Sequence, residues 1–201
     1  MPPAFALALL LQQPAEGRPL FYWGSRAAVI AAAPVPSGRT EAQVTEVHAA
    51  VEQNDLFVRF TFDRSVREVL YGRDGQPISG RLRATLYVDA DGDRKSGLDE
   101  GPGDLRTGAE ARLDLGVVAM GEDPEEKREA RALVTVALVG FTTPGHRRTL
   151  WRADDDANPQ QVSVHGDAVE VRVPGSVLRL EPRARIVLTA AEKVWDGRLN
   201  P

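Results

Sequence analysis

Two neighbouring segments of this chain alternate hydrophobic and polar residues with the period of a β-strand. In the first, Val47, Ala49 and Val51 alternate with polar neighbours, and residues 56–62 repeat the pattern. Successive side chains of a strand point to opposite faces, so each segment presents one apolar face. Between them, Gln53-Asn54-Asp55 has the composition of a tight turn. The two segments are therefore predicted to form a β-hairpin with one buried face.

Further short apolar runs follow, divided by clusters of Gly, Pro and Asp. They are residues 82–88, 111–118, 133–141, 162–164, 169–173 and 186–188. Helix is scarce, with residues 122–130 read as a short charged helix or a solvated loop. Many short strands without intervening helices favour an all-β fold, a two-sheet antiparallel β-sandwich of jelly-roll or immunoglobulin-like type. Eight side chains are expected to point between the sheets: Leu56, Val58, Phe60, Leu82, Leu86, Val88, Val171 and Val173.

Composition excludes several classes of function. The formal net charge is −4, and Arg is interspersed with Asp and Glu, whereas a nucleic-acid surface needs clustered positive charge. No nucleic-acid partner is expected. The chain has no Cys, which excludes disulfides, thiolate catalysis and Cys-ligated metals.

The amino terminus carries an apolar run at residues 5–11, which is too short to span a membrane as a helix. A polar, small-residue stretch follows at residues 12–16, as in the second half of a secretory signal peptide without its basic region. The chain is therefore divided into residues 1–16, a signal-peptide remnant, and residues 17–201, a single β-sandwich domain. This division predicts a secreted or periplasmic protein that begins near Glu16. The alternative is an apolar strand or helix that packs on the domain.

The sharpest motif is an acidic loop at the end of the strand predicted at residues 82–88. Asp89, Asp91 and Asp93 stand at alternate positions, and Glu100 is the twelfth residue counted from Asp89. This spacing matches a calcium loop, since a hard dication takes six to eight oxygen ligands. An EF-hand is excluded because Arg94 occupies the position of its Gly and a strand leads into the loop. The alternative is a plain turn, which Asp and Gly also favour.

The order of short motifs around this loop resembles that of the DOMON-like superfamily, which includes the family-nine carbohydrate-binding modules. A strand ends in Asp-x-Asp at residues 88–91, Ser96-Gly97 follows, and Gly108-Ala109-Glu110 opens the next strand. The hairpin and residues 169–178 also fit, so the resemblance covers roughly residues 43–196. The family has Thr where this chain has Ser96. The resemblance implies a β-sandwich, a structural calcium and, in some relatives, sugar binding. The metal ligands that it implies are Asp89, Asp91 and Glu110, followed by Asp93 and Asp99.

Sugar-binding modules stack rings on exposed aromatic side chains and bind hydroxyl groups with polar ones. Four residues are the candidates for such a site: Trp151, Arg152, Trp195 and Tyr71. Because strand neighbours face opposite ways, one of Leu150 and Trp151 is expected to face inward, and Trp151 is taken as the exposed one. The alternative is that each Trp belongs to the core, as buried Trp often does.

No catalytic motif is present, and His48, His146 and His165 lie on separate segments. We therefore expect a non-catalytic, calcium-stabilised binding module that takes carbohydrate or cell-surface glycan. The runner-up is a structural or protein–protein interaction domain without a small ligand. Two further alternatives are a glycan-active enzyme, whose carboxylates meet only in space, and a haem-binding DOMON domain that uses Met120 and His146.

Overall fold

The computed structural model describes residues 17–24, 28–32, 42–71, 75–78, 82–97, 108–121, 130–143, 146–190 and 193–198. For residues 28–32, 142–143, 188–190 and 193–198 only the backbone is described. The predicted signal-peptide remnant at residues 1–16 lies outside the described residues, as do residues 122–129 of the predicted charged segment.

The described strands form two antiparallel sheets that pack face to face, which confirms the predicted all-β sandwich. The first sheet has the order β1-β2-β3-β9-β8 and the second the order β11-β10-β4-β5-β6-β7. The strands are β1 (Ala28–Ala32), β2 (Val44–Glu52), β3 (Asp55–Phe62), β4 (Ala84–Asp89), β5 (Ala111–Met120), β6 (Arg131–Thr143), β7 (His146–Asp154), β8 (Val162–His165), β9 (Ala168–Val173), β10 (Arg185–Ala190) and β11 (Lys193–Arg198).

The hairpin predicted from the alternating pattern is β2 and β3, joined by two residues. Gln53 and Asn54 have φ angles of 52° and 69°, and Glu52 pairs directly with Asp55. Two consecutive positive φ angles are typical of a type I′ turn, whose twist suits a two-residue hairpin. The local sequence therefore fixes both the turn and the register of this pair.

The core lies between the sheets and consists almost entirely of aliphatic and Phe side chains. The eight side chains predicted to point inward are all buried there, each at most 1% exposed: Leu56, Val58, Phe60, Leu82, Leu86, Val88, Val171 and Val173. Burial of a large aliphatic or aromatic side chain contributes about 1.5–3 kcal/mol, so this layer dominates the stability of the sandwich.

Residues 17–24, which we call the strap, cross the outer face of the first sheet from β8 to β2. Gly17 N donates to Val164 O at the β8 edge. Further along, the Phe21 ring lies 4.7 Å from Phe57 of β3. Trp23 then reaches His48 of β2, with 5.8 Å between ring centroids. A sheet face that would otherwise be solvated is therefore partly covered by the amino-terminal segment.

Helix among the described residues is limited to α1 (Val66–Leu70), which the sequence did not predict. Val66, Val69 and Leu70 are buried, so tertiary packing, rather than length, stabilises this single turn. No helix in the described part of the chain has the length and hydrophobicity that a membrane span requires.

Candidate metal centre and ligand cavity

The acidic group forms where β4 leaves the sheet and β5 enters it. Asp89 is the last residue of β4, Asp91 lies in the loop that follows, and Glu110 immediately precedes β5. One carboxylate oxygen from each of the three lies within 4.8 Å of the others. A calcium ion with ligands at about 2.3–2.6 Å fits between oxygens at that separation. Adjacent antiparallel strands thus bring together residues 19 to 21 positions apart in sequence.

Glycines bring the loop into close contact with the segment before β5. Gly97 has a φ of 69°, and a Cβ at this position would lie 2.7 Å from Glu110 Oε1. Gly108 has a φ of 66°, and its Cβ would lie 2.6 Å from the Cα of Arg94. Both positions therefore need Gly for conformation and for space. This explains why a Ser-Gly and a Gly-Ala-Glu accompany the acidic residues in the sequence.

Within the loop, carboxylates cap backbone amides in successive turns. Asp89 Oδ1 accepts from Gly92 N at 2.7 Å, and Asp91 Oδ1 accepts from Asp93 N at 2.8 Å. Ser96 Oγ donates to Asp91 Oδ2 at 2.8 Å. The structure does not bring Asp93 into the converging group, contrary to our prediction. Asp93 is exposed, and its Oδ1 accepts from the amide of Lys95 at 2.9 Å.

Asp99 and Glu100, the other two predicted ligands, lie outside the described residues. The group for which the structure gives a geometry is therefore Asp89, Asp91 and Glu110, the three carboxylates that the family resemblance implied first.

Burial, backbone amides and neighbouring charges shift the pKa values of these three carboxyl groups. Burial raises the pKa of Asp89, although the Gly92 amide and the charge of Arg185 oppose it. Burial also raises the pKa of Glu110, and the charges of Asp91 and Asp89 add to the rise. In contrast, the amide of Asp93 lowers the pKa of Asp91. Like charges held this close favour either a proton or a bound cation.

Arg185 of β10 forms an ion pair with one member of the group, Asp89. Arg185 Nη1 lies 3.4 Å from Asp89 Oδ2, and both side chains are buried. Three carboxylates and one guanidinium leave a formal charge of −2, which one dication would neutralise. Sequence reasoning missed Arg185 because only the pairing of β10 with β4 places it opposite Asp89.

The candidate aromatic residues for sugar binding do not meet. Trp151 is on β7 and Trp195 on β11, the two edge strands of the second sheet. Five strand spacings of about 4.8 Å put these edges roughly 24 Å apart. The two Trp residues therefore do not belong to one binding platform.

Trp151 is also not the exposed member of its pair. Its side chain packs against the core, whereas Leu150 is 40% exposed. The reason is a β-bulge, since Trp151 pairs with Leu138 while Thr149 pairs with Val139, leaving Leu150 without a partner. The bulge gives the exposed position to Leu150 and pairs Trp151 with the buried Leu138.

Of the remaining candidates, Arg152 is exposed on β7, and Tyr71 lies at the end of α1. Tyr71 packs against the core, and its hydroxyl accepts a 3.4 Å hydrogen bond from Ala132 N. The side chain of Trp195 lies outside the description, which gives only its backbone pairing with Leu188. Tyr71 lines the cavity that is described below.

The predicted haem pair is separated by the length of β6. Met120 pairs with Arg131 at one end of that strand, and His146 pairs with Thr143 at the other. Twelve residues of strand at about 3.3 Å each place the two residues roughly 40 Å apart. At that distance Met120 and His146 cannot be the two axial ligands of one haem. The structure therefore offers no support for the haem alternative.

A polar row that the sequence did not indicate crosses the outer face of the first sheet. His48, Arg59 and Glu170 are aligned on β2, β3 and β9, and His165 Nε2 lies 3.1 Å from Glu170 Oε1. Two histidines expected on unrelated segments therefore share one face. Glu170 is 1% exposed because the strap covers it, and it accepts hydrogen bonds from Leu20 N and Trp23 Nε1.

Beside the strap, a cavity of about 480 Å³ opens between the sheets. Its walls are the strap, the end of α1, the start of β6, the loop between β7 and β8, and β8 itself. The polar residues that line it are Arg18, Arg67, Tyr71, Arg131, Asp155, Asp156, Gln160 and Ser163. Cavities of roughly 300–1,000 Å³ hold small-molecule ligands in other proteins.

No protein-family model, curated protein or solved structure matches this chain. The resemblance to DOMON-like domains therefore stays a prediction.

Proposed function

We propose that this chain is a calcium-stabilised, non-catalytic binding domain of an exported protein. The observation that carries the proposal is the convergence of Asp89, Asp91 and Glu110 within 4.8 Å at the end of β4. Oxygen-only ligands and a formal charge of −2 suit a hard dication such as calcium. A simple turn needs one or two capping carboxylates from its own residues, and it does not need Glu110 from the start of the next strand.

The position of the site explains how a cation stabilises the fold. Asp89 and Glu110 belong to the ends of adjacent strands, and Asp91 belongs to the loop between them. In the unfolded chain these carboxylates are not assembled, so binding energy becomes folding energy. At a calcium concentration a hundred times the dissociation constant, the free energy of unfolding rises by about 2.7 kcal/mol.

Export is proposed from the apolar run at residues 5–11 and the polar stretch at residues 12–16, and it is independent of the metal. The expected cleavage lies near Glu16. Amino-terminal sequencing of the secreted protein tests this, and a mature chain that retains residues 5–11 would contradict it.

Thermal unfolding in calcium and in excess chelator tests the metal site. We expect a higher melting temperature in calcium for the native chain. The difference should largely disappear in Asp91→Asn and Glu110→Gln, which keep side-chain volume and hydrogen-bonding atoms. Asp93→Asn is the matched control, because it removes the same charge from the same loop outside the converging group. An equal melting temperature in calcium and chelator would leave the acidic loop as a turn.

A structural or interaction domain without a small ligand is the second candidate. It is favoured by the core packing of Trp151, which removes the expected aromatic platform, and by apolar side chains exposed at the end of β5. Val118 and Met120 are 48% and 39% exposed there. A calcium effect with no small-molecule binding in any assay would favour this candidate.

A further inference from the structure

Strand β6 carries apolar side chains on both faces of the second sheet. Its inward-facing side chains, such as Val134 and Val136, are buried in the core. The outward-facing ones are only partly buried, and most of them are apolar: Leu133, Thr135, Ala137, Val139 and Phe141. A strand with one solvated face usually alternates apolar and polar residues, whereas a nearly continuous apolar run is typical of a strand covered on both faces. The composition of β6 therefore indicates that its outer face is covered in solution.

The neighbouring strand β5 extends this apolar surface. Val118 pairs with Leu133 and is 48% exposed, and Met120, two residues further along the same face, is 39% exposed. At Gly116, which pairs with Thr135, an added Cβ would have no atom within 4 Å. The middle of the face is therefore open among the residues that the structure describes. We call the following residues the apolar face: Gly116, Val118, Leu133, Ala137, Val139 and Phe141.

The outer surface of the second sheet has the size of one half of a dimer interface. Six strands of six to thirteen residues form this sheet. At about 4.8 Å between strands and about 3.3 Å per residue, with about eight residues in a strand, the sheet covers roughly 750 Å². Stable interfaces bury about 800 Å² on each partner. A second copy of the same sheet therefore matches this surface in area.

Ion pairs within the chain neutralise two of the arginines that border the apolar face. Arg112 Nη2 lies 2.8 Å from Asp114 Oδ2, and Arg131 Nη1 lies 2.6 Å from Asp156 Oδ2. A polyanion needs clustered positive charge that is free to bind it. These pairs therefore favour a partner that is itself apolar and of mixed charge, as a second copy is.

At the edge of the apolar face, β7 carries two opposite charges a short distance apart. Arg152 is exposed, and Asp154 follows it by two residues on the same strand. The Asp154 carboxylate is held in place, since its Oδ1 accepts from the amides of Asp156 and Ala157 at 3.0 and 2.6 Å. When a second copy is turned end to end over the first, the positive charge of each copy meets the negative charge of the other. The edge is thus complementary to itself.

We propose that two copies of this chain form a symmetric dimer through the outer face of the second sheet. Their strands run antiparallel across the interface, so that Arg152 faces Asp154 of the partner subunit. A two-fold axis uses the same patch on both copies, and facing sheets pack about 10 Å apart with their side chains interdigitated. The dimer goes beyond the proposed calcium-stabilised role and is independent of it, because Asp89, Asp91 and Glu110 do not belong to the apolar face.

Sedimentation equilibrium of the full chain tests the proposal. We expect the native chain to have the mass of two chains at about 100 µM, a modest affinity for an interface of this size. Gly116→Lys should weaken dimerisation roughly tenfold or more, because it places a charge in the middle of the apolar face. The backbone of Gly116 does not have a positive φ and the added Cβ meets no atom, so the variant should fold.

Val118→Lys is a second variant on the apolar face and should weaken dimerisation in the same direction. Ser176→Lys is the matched control, because Ser176 is exposed in the loop after β9 of the first sheet. It should leave dimerisation unchanged. Circular dichroism of each variant checks that the fold is intact. A monomeric native chain, or a dimer that both face variants leave intact, would overturn the proposal.

Arg152→Glu tests how the two copies are arranged. It places a negative charge against Asp154 of the partner subunit and should weaken the dimer, whereas Arg179→Glu, at an exposed position outside the face, should not. Equal dimerisation in both variants would overturn the antiparallel arrangement. A monomer whose melting temperature still depends on calcium would overturn the dimer and leave the metal site standing. A dimer that forms equally in calcium and in chelator supports the dimer, whatever the outcome for the metal.

Discussion

Asp89 and Arg185 are paired in register on β4 and β10, and their buried side chains form an ion pair of 3.4 Å. This pair stands beside Asp91 and Glu110, since Asp89 belongs to the same group of three carboxylates. The guanidinium and a bound dication would neutralise the charge of the same carboxylates. If the proposed ion binds, the stability of this end of the sandwich depends on both.

Arg185→Met keeps much of the side-chain volume and removes the charge. Loss of one partner leaves Asp89 buried without its counter-charge, which costs about 3–5 kcal/mol in chelator. In calcium the loss should be smaller, because the ion supplies positive charge to the same carboxylates. Denaturant unfolding in both buffers measures the two values. Arg183→Met, an exposed neighbour, is the control, and an equal loss in calcium and chelator would contradict the coupling.

Gly97→Ala should destabilise the loop by more than its backbone conformation alone explains. A positive φ costs a non-glycine residue about 1–2 kcal/mol, and the new Cβ would also lie 2.5 Å from Gly108 O and 2.7 Å from Glu110 Oε1. Gly75→Ala is a matched control, since Gly75 has a φ of 76° with nothing within 4 Å of the added Cβ. Urea unfolding should show a clearly larger loss for Gly97→Ala, together with weaker calcium binding. Equal losses would mean that the loop does not pack on Glu110.

The interactions of Asp55 predict that the free energy of unfolding depends on pH in the acid range. Burial alone would raise its pKa, but hydrogen bonds from Gly175 N and Arg172, with the Arg172 charge, hold the pKa below its ordinary value. A lowered pKa in the folded state contributes stability above the unfolded pKa of about 4, and this contribution is lost as the pH falls through the folded value.

Asp55→Asn should therefore cost about 1 kcal/mol near pH 7, and the difference from the native chain should shrink below about pH 4. Urea unfolding at pH 7 and pH 3 gives both values. Asp167→Asn replaces an exposed Asp as the control. A difference that is unchanged at pH 3 would show that the carboxylate charge of Asp55 is not what stabilises the turn.

Glu170→Gln should release the strap without unfolding the sandwich. The variant loses the charge that strengthens hydrogen bonds from Leu20 N and Trp23 Nε1, and bonds to charged groups contribute about 1.5–3 kcal/mol each. Hydrogen exchange at the Leu20 amide should become much faster, while exchange at β4 amides stays slow. The control is Glu181→Gln, an exposed Glu. Slow exchange at Leu20 in Glu170→Gln would mean that apolar contacts such as Phe21 with Phe57 hold the strap.

The fold was predictable where a local pattern decides the structure. Alternation at residues 47–62 predicted the hairpin and its buried face, and the spacing of Asp89 and Asp91 placed the acidic loop at a strand end. The site was only partly predictable. Arg185 joins it through the register of β10 on β4, and Trp151 turns inward at a bulge that no local signal marks. Glu170 stands between two Val residues on β9, and this pattern predicts a solvated side chain. The sequence does not reveal that the strap covers it.

The strap also sets an order on folding. Its anchoring residue, Glu170, follows Leu20 by 150 positions and Trp23 by 147. Pairing over such distances forms late, because the intervening chain must first be closed into a loop. During synthesis the strap emerges early, yet it has no place to dock until β9 has been made. The strap therefore docks only after β9 has been made, and the cavity that the strap lines is complete only after that step.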